Sequence, residues 1–254
     1  MGFRRFCVSI VLLIVLQGGI SRSYAAEEII VSAAASLTNA MTEIGQAFQE
    51  ERPGIQVIFN FAASGSLVQQ MLHGAPVDVF ASASRQFMDR AQREGLIQTD
   101  SRRNFSQNTL VLAVPACAEI TLDDLAGLLH AEIHVIGIGH PDTVPAGRYA
   151  KEALEAAAMW ETLVPKLVFG NSVRQVLDYL RRGEVDAGLI YATDAIIGGN
   201  AVRVVESIES QPPIVYPIAL TSDSQKRESA QEFVDFIMGE RGQAILKNFG
   251  FSVP

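Results

Sequence analysis

The stretch IIVSAAASLTNAMTEIGQAF, residues 29–48, changes its hydrophobic period halfway along. IIVSAA, Ile29 to Ala34, is the short β-branched apolar run of a buried strand. Leu37, Met41, Ile44 and Phe48 then recur on one helical face until Pro53-Gly54 ends the helix. Ser36 stands at the junction. A strand feeding straight into an amphipathic helix is the building unit of α/β proteins, and the unit recurs downstream.

QVIFNF (Gln56 to Phe61) runs through Ser64, Gly65 and Ser66 into a short helix marked by Leu67, Met71 and Leu72 and ended by Gly74. VDVFAS leads through Ser82-Ala83-Ser84 into a helix carrying Phe87, Met88 and Ala91, and NTLVLAVP (Asn108 to Pro115) reads as the strand that leaves this first group. A helix is expected over Leu122 to Leu129 with Thr121 as N-cap, then a strand over Ile133 to Gly139. Val144-Pro145-Ala146-Gly147 opens a helix with Tyr149, Ala153 and Leu154 inward; KLVFG (Lys166 to Gly170) is a strand, and Asn171 to Gly183 a helix with Val173 near its first turn. AGLIY, Ala187 to Tyr191, has the uniform apolarity of a central strand, and Thr193-Asp194 starts another short helix. IVYPIAL is the expected return to the first group, since Pro212-Pro213 and Pro217 suit a semi-rigid crossing better than a central ladder; Ser224 to Phe249 is helical.

The chain has 254 residues, enough for one large domain or two small lobes. Arg4 and Arg5, the apolar run Val8 to Leu16 and the small-residue site Ser23-Tyr24-Ala25 read as a secretory signal peptide, Met1 to Ala25, cut before Ala26. The mature protein is therefore expected to be exported, most simply to a bacterial periplasm. Its removal takes away three arginines and no acid, so 20 basic against 28 acidic residues become 17 against 28 and the formal charge moves from −8 to −11. Such a surplus of acid argues against a nucleic-acid partner. Cys117 alone remains in the mature chain, so no internal disulfide can form; it is expected as a buried small hydrophobe.

Four junctions, around Ser36, Ser64, Ala146 and Val173, pair small or polar side chains with the free N–H groups of a helix start. That is an anion site assembled from backbone. In open α/β sheets such junctions lie at the carboxyl ends of the strands, so two lobes facing across a cleft would aim several helix starts at one point.

AAASLTNAM (Ala33 to Met41), FAASGSL (Phe61 to Leu67), APVDVFASA (Ala75 to Ala83), HPDTVPAGRYAKEAL (His140 to Leu154), NSVRQVL (Asn171 to Leu177) and GLIYATDA (Gly188 to Ala195) resemble, in order and spacing, the periplasmic molybdate-binding proteins of ABC importers. The resemblance spans Glu28 to Phe251. It implies the type II periplasmic binding-protein fold, α/β and two-lobed, each lobe a mostly parallel sheet flanked by helices with the ligand in the interlobe cleft. It also implies an exported monomer without cofactor that closes over molybdate or tungstate and delivers it to a membrane permease, the cytoplasmic ATPase acting indirectly. The ligand positions carried over by the resemblance are Ser36 and Ser64 as hydroxyl and N–H donors, Ala146 and Val173 as main-chain donors, and Tyr191 as a phenolic donor. The expected lobes are Ala26 to Phe105 with Pro217 to Pro254, and Ser106 to Tyr216 between, the two crossings forming the hinge. His140 and Gly65 depart from the family's commoner residues, Asp or Asn and Ser or Thr respectively, at positions that are not ligand positions.

Read from the residues alone, Ser36 and Ser64 serve equally well as helix caps, and Tyr191 as a core tyrosine. Arg148 and Lys151 are expected to pair with Glu152 and Glu155 rather than with an anion, and His130 and His134 do not form a metal pair across the turn at Ala131-Glu132. AASGS lacks the first glycine of a nucleophile elbow and there is no phosphate-binding G-x-x-x-x-G-K-[ST] loop, which argues against an enzyme. Sulfate, phosphate or a ferric complex stands as the alternative cargo; a ferric site would call for clustered Tyr, His or carboxylate ligands.

Overall fold

The structure is a computed structural model that describes residues 26–119 and 121–252. The expected signal peptide, Met1 to Ala25, lies outside the described residues.

In chain order the first group of elements is β1 (Glu27–Ala34), α1 (Thr38–Glu51), β2 (Ile55–Ala62), α2 (Ser64–Leu72), β3 (Val79–Ala81), α3 (Arg85–Arg93) and β4 (Arg103–Asn108). The second is β5 (Leu110–Pro115), β6 (Ile136–Gly139), α4 (Pro145–Ala156), α5 (Trp160–Leu163), β7 (Leu167–Gly170), α6 (Val173–Arg182), β8 (Ala187–Tyr191), α7 (Ala192–Gly198) and β9 (Val202–Ile208). β10 (Ile214–Leu220), α8 (Arg227–Met238) and α9 (Glu240–Asn248) complete the chain. Two five-stranded sheets result, ordered β2-β1-β3-β10-β4 and β7-β6-β8-β5-β9.

The strand–helix units form as the hydrophobic pattern requires. β1 lies parallel between β2 and β3, so Val31 faces Phe59 on one side and Val79 on the other. Leu37, Met41, Ile44 and Phe48 are all buried, and the Phe48 ring meets Phe233 and Phe236 of α8 edge-on at 5.2 and 5.6 Å. The C-terminal helices thus cover the sheet built by the N-terminal strands. In the other sheet β8 is buried along its whole length between β6 and β5.

Several expectations are corrected. The fold class is α/β in two sheet-bearing lobes, but the sheets are mixed rather than mostly parallel: β10 runs antiparallel to β3 and β4, and β5 antiparallel to β8 and β9. β10 is paired on both sides despite Pro217, because the register slips between Tyr216 and Pro217 while the Pro217 carbonyl still accepts from Ser82 N–H at 2.9 Å. The boundaries expected at Phe105 and Tyr216 fall inside β4 and β10, both of which pair in the first sheet. The chain crosses between sheets at Thr109 and over residues 209–213. The helix expected at Leu122 is a single 3-10 segment, Leu125–Leu129, capped by Asp124 rather than Thr121 through a 3.1 Å bond to Gly127 N–H. Cys117 is exposed in the turn after β5. β4 and β9 carry too many charged and polar residues to announce themselves as strands; each is an edge strand.

Candidate functional site

The segments that follow β1, β2, β3, β6 and β7, together with the end of β8, converge on one small cavity between the two sheets. Ser36, Ser64, Ala146, Val173 and Tyr191 all line it, with alanines and Val144 filling the gaps. The space it offers to a water-sized sphere is only ≈ 10 Å³ and all five residues are buried, so the two lobes lie close together here. Main-chain contact across the cleft agrees: Gly65 N–H of the first lobe donates to the Thr143 carbonyl of the second at 3.0 Å.

Neither serine caps a helix. Ser36 lies in the 3-10 turn before α1 and Ser64 is the first residue of α2, and no side-chain cap bond forms at either start. Ser64 Oγ instead accepts from Ala83 N–H at 3.0 Å, which occupies a lone pair and leaves its own hydrogen for a ligand. Ser36 Oγ sits 3.0 Å from the Tyr216 hydroxyl.

α4 begins with Val144 as N-cap, Pro145 and Ala146, so Ala146 N–H has no acceptor within the helix. Gly147 lets this start approach the sheet, because a Cβ there would lie 1.9 Å from the Gly139 carbonyl oxygen. α6 is capped by Ser172, which accepts from Gln175 N–H at 3.2 Å, and Val173, the first helical residue, has no acceptor for its N–H within the helix. The positive ends of α2, α4 and α6 therefore meet at one place, where they favour an anion.

Tyr191 is fully buried, and its hydroxyl reaches the Ala83 carbonyl at 3.5 Å, a long bond that an anion could readily replace. Burial first, then the neighbouring Tyr216, Tyr149 and Asp194, push its pKa well up, so it remains a donor. Behind it lies Asp194, wholly buried, with Arg174 Nε 2.7 Å from Oδ1. The contact is a buried ion pair whose angle is poor for a hydrogen bond. Burial raises the Asp194 pKa to about 7, against the pull of Arg174 and the Tyr191 main chain. The same guanidinium spans the cleft, donating to Asn39 Oδ1 at 2.7 Å and to the Ser36 carbonyl at 3.1 Å.

Other sequence candidates lie elsewhere. Arg148 pairs with Glu152, and Lys151 Nζ lies 3.6 Å from Glu155. His140 is outside the cavity, its ring 5.4 Å from Phe169 and half exposed. Among the described residues no cluster of His, Cys, Asp or Glu has metal-binding geometry, and no helix is long and apolar enough to cross a membrane. Sequence reasoning missed Ala83, Asn108, Arg174 and Tyr216. No local pattern gave any of the four a site role, and each bonds to a partner more than a hundred positions away.

Two α/β lobes joined by two crossings, with helix starts aimed into the cleft, define a solute-binding receptor. The chain belongs to the family of bacterial extracellular solute-binding proteins, whose model matches residues 29–252, and it is accordingly a binding protein and not an enzyme. It is 36% identical over 234 residues to the molybdate-binding protein ModA of Escherichia coli, covering 89% of both chains. It is 33% identical over 224 residues to the putative ABC transporter substrate-binding lipoprotein YvgL of Bacillus subtilis, covering 87% of this chain and 85% of the relative. Among solved structures, the substrate-binding domain of a putative molybdenum ABC transporter from Clostridium difficile superposes with a TM-score of 0.69 at 32% identity, covering 90% of this chain and 100% of that one.

Proposed function

We propose that this protein captures molybdate, and tungstate equally well, in the interlobe cavity and delivers it to the membrane permease of an ABC importer whose cytoplasmic ATPase acts indirectly. It works in the periplasm, after export, as a monomer and without a resident cofactor. Ser36 and Ser64 supply hydroxyl and N–H donors, Ala146 and Val173 supply N–H donors, and Tyr191 a phenolic hydroxyl. The observation that carries this reading is that these five residues, dispersed over 156 positions from Ser36 to Tyr191, line one cavity at the helix starts of both lobes.

The chemistry favours a fully deprotonated tetrahedral dianion. Each charge-assisted hydrogen bond contributes roughly 1.5 to 3 kcal/mol, so five or more offset the lost hydration even in an exported chain of 17 basic and 28 acidic residues, formal charge −11. Hydrogen phosphate would leave its O–H without an acceptor, at about 1 to 3 kcal/mol. Sulfate carries no such penalty and is the competing cargo; only its smaller size counts against it, through bonds stretched in a cavity that closes to a fixed limit. Calorimetric titration of ligand-stripped protein with molybdate, tungstate, sulfate and phosphate tests the assignment. Tight binding confined to molybdate and tungstate is expected, whereas preference for sulfate or phosphate would overturn the cargo.

A further inference from the structure

The start of α1 is held from the opposite lobe by one side chain. Arg174, the second residue of α6, reaches across the cleft, where Nη1 donates to Asn39 Oδ1 at 2.7 Å and Nη2 to the Ser36 carbonyl at 3.1 Å. A guanidinium only donates and a carbonyl only accepts, so the direction of the Ser36 bond is unambiguous. The remaining edge of the fork faces its own lobe: Nε lies 2.7 Å from Oδ1 of Asp194, which is wholly buried in the first turn of α7. Leaving that carboxylate unpaired would be costly, so the pair keeps the guanidinium at the cleft instead of in solvent. Arg174 does not line the cavity, whereas its neighbour Val173 does, and so do Ser36 and Tyr191, the latter three residues before Asp194. One group thus meets the segments that carry three of the five donors, and of these only the Ser36 segment belongs to the other lobe.

We infer that Arg174 is a positioning residue for Ser36: from the second lobe it fixes the main chain that presents the Ser36 donors, so these donors are fully placed only once the lobes have met. The inference rests on the oxyanion-receptor reading and adds to it a residue that does not touch the ligand. It makes the Ser36 contribution conditional on closure, while Ser64, held by the Ala83 N–H within its own lobe, is in place beforehand. Lysine cannot take over the role, because one ammonium lacks the planar fork that serves Asp194, Asn39 and the Ser36 carbonyl together.

The test is a pair of double-mutant cycles read by calorimetric titration with molybdate at pH 8, above the pKa of about 7 at which Asp194 titrates, with circular dichroism to establish folding. Arg174→Lys keeps a cation beside Asp194 and is expected to weaken molybdate binding at least about tenfold, the size of one charge-assisted bond. In that background Ser36→Ala should cost at least about threefold less affinity than in wild type, whereas Ser64→Ala should cost the same. Unchanged affinity in Arg174→Lys overturns the inference while the receptor reading stands. So does a cycle that is additive for both serines or equally coupled to both, because a residue that merely stabilises the closed state does not distinguish them. If Arg174→Lys does not fold, the double variant Arg174→Gln with Asp194→Asn, which leaves no buried charge unpaired, takes its place in both cycles. Wild-type protein that does not bind molybdate would instead overturn the receptor reading.

Discussion

Gly65 and Thr143 meet main chain to main chain across the cleft, and the contact leaves no room for a side chain: a Cβ on Gly65 would lie 2.7 Å from the Thr143 carbonyl oxygen and 2.8 Å from the Phe87 ring. Gly65 is therefore tied to how closely these two lobes approach. Gly65→Ala is expected to weaken molybdate binding at least about tenfold by holding the lobes apart, and to cost about 1 to 3 kcal/mol of stability through the Phe87 overlap. Calorimetry and urea denaturation measure the two effects separately; wild-type affinity in the variant would show that closure does not need this contact.

Ser64 and Ser36 are the side chains whose loss should be felt most directly. Ser64→Ala and Ser36→Ala are each expected to reduce molybdate affinity by roughly 10- to 100-fold, one charge-assisted hydrogen bond apiece. Neither serine caps a helix, but Ser64→Ala also leaves the buried Ala83 N–H without its acceptor, so the ligand-free Ser64 variant should lose about 1 to 3 kcal/mol of stability. A large drop in melting temperature with intact affinity would return them to a structural role.

Arg174 joins the lobes through Asn39 and the Ser36 carbonyl. Asn39→Ala removes a first-lobe acceptor without disturbing the Arg174–Asp194 pair in the second lobe. Contacts made only in the closed state slow ligand release, so this variant should release molybdate several-fold faster at an unchanged association rate. Stopped-flow fluorescence resolves the two rates, and an unaltered dissociation rate would remove Asn39 from the closing contacts.

Asp194 makes stability depend on pH with a definite sign. Its carboxyl has a pKa of about 7 in the folded protein against 3.8 in the unfolded chain. Between these values the folded state holds a proton that the unfolded state has lost, so this group's contribution to stability falls as pH rises from about 4 to about 7 and is level outside that window. Asp194→Asn should flatten this part of the profile, as read from urea midpoints at pH 5 and pH 8. An identical slope in wild type and variant would assign the titration to another group.

Molybdate and tungstate present the same charge and nearly the same oxygen framework to donors that never reach the central metal. Their dissociation constants should agree within about a hundredfold, roughly 2.8 kcal/mol. A larger preference would require a discriminating contact beyond hydrogen bonding to oxygen.

The local units were legible because burial imposes a period that the chain has to carry: Leu37, Met41, Ile44 and Phe48 announce α1, and uniform apolarity announces β8. Ser36, Ser64, Ala146, Val173 and Tyr191 were reachable for a different reason. Helix starts need small or polar residues at defined offsets, and a family resemblance singled out five positions that line one cavity. Strand direction and pairing were not legible, since β10 takes its place between β3 and β4 through backbone bonds that carry no side-chain signature, and Pro217 argued against it. By itself, then, the sequence determined the strand–helix units and the small residues at their junctions, because those are set by interactions a few residues apart. Only the tertiary structure decided which residues line the cavity and which groups join the lobes, because Ser36 with Tyr216, Ser64 with Ala83 and Arg174 with Asn39 are brought together by packing and not by local sequence.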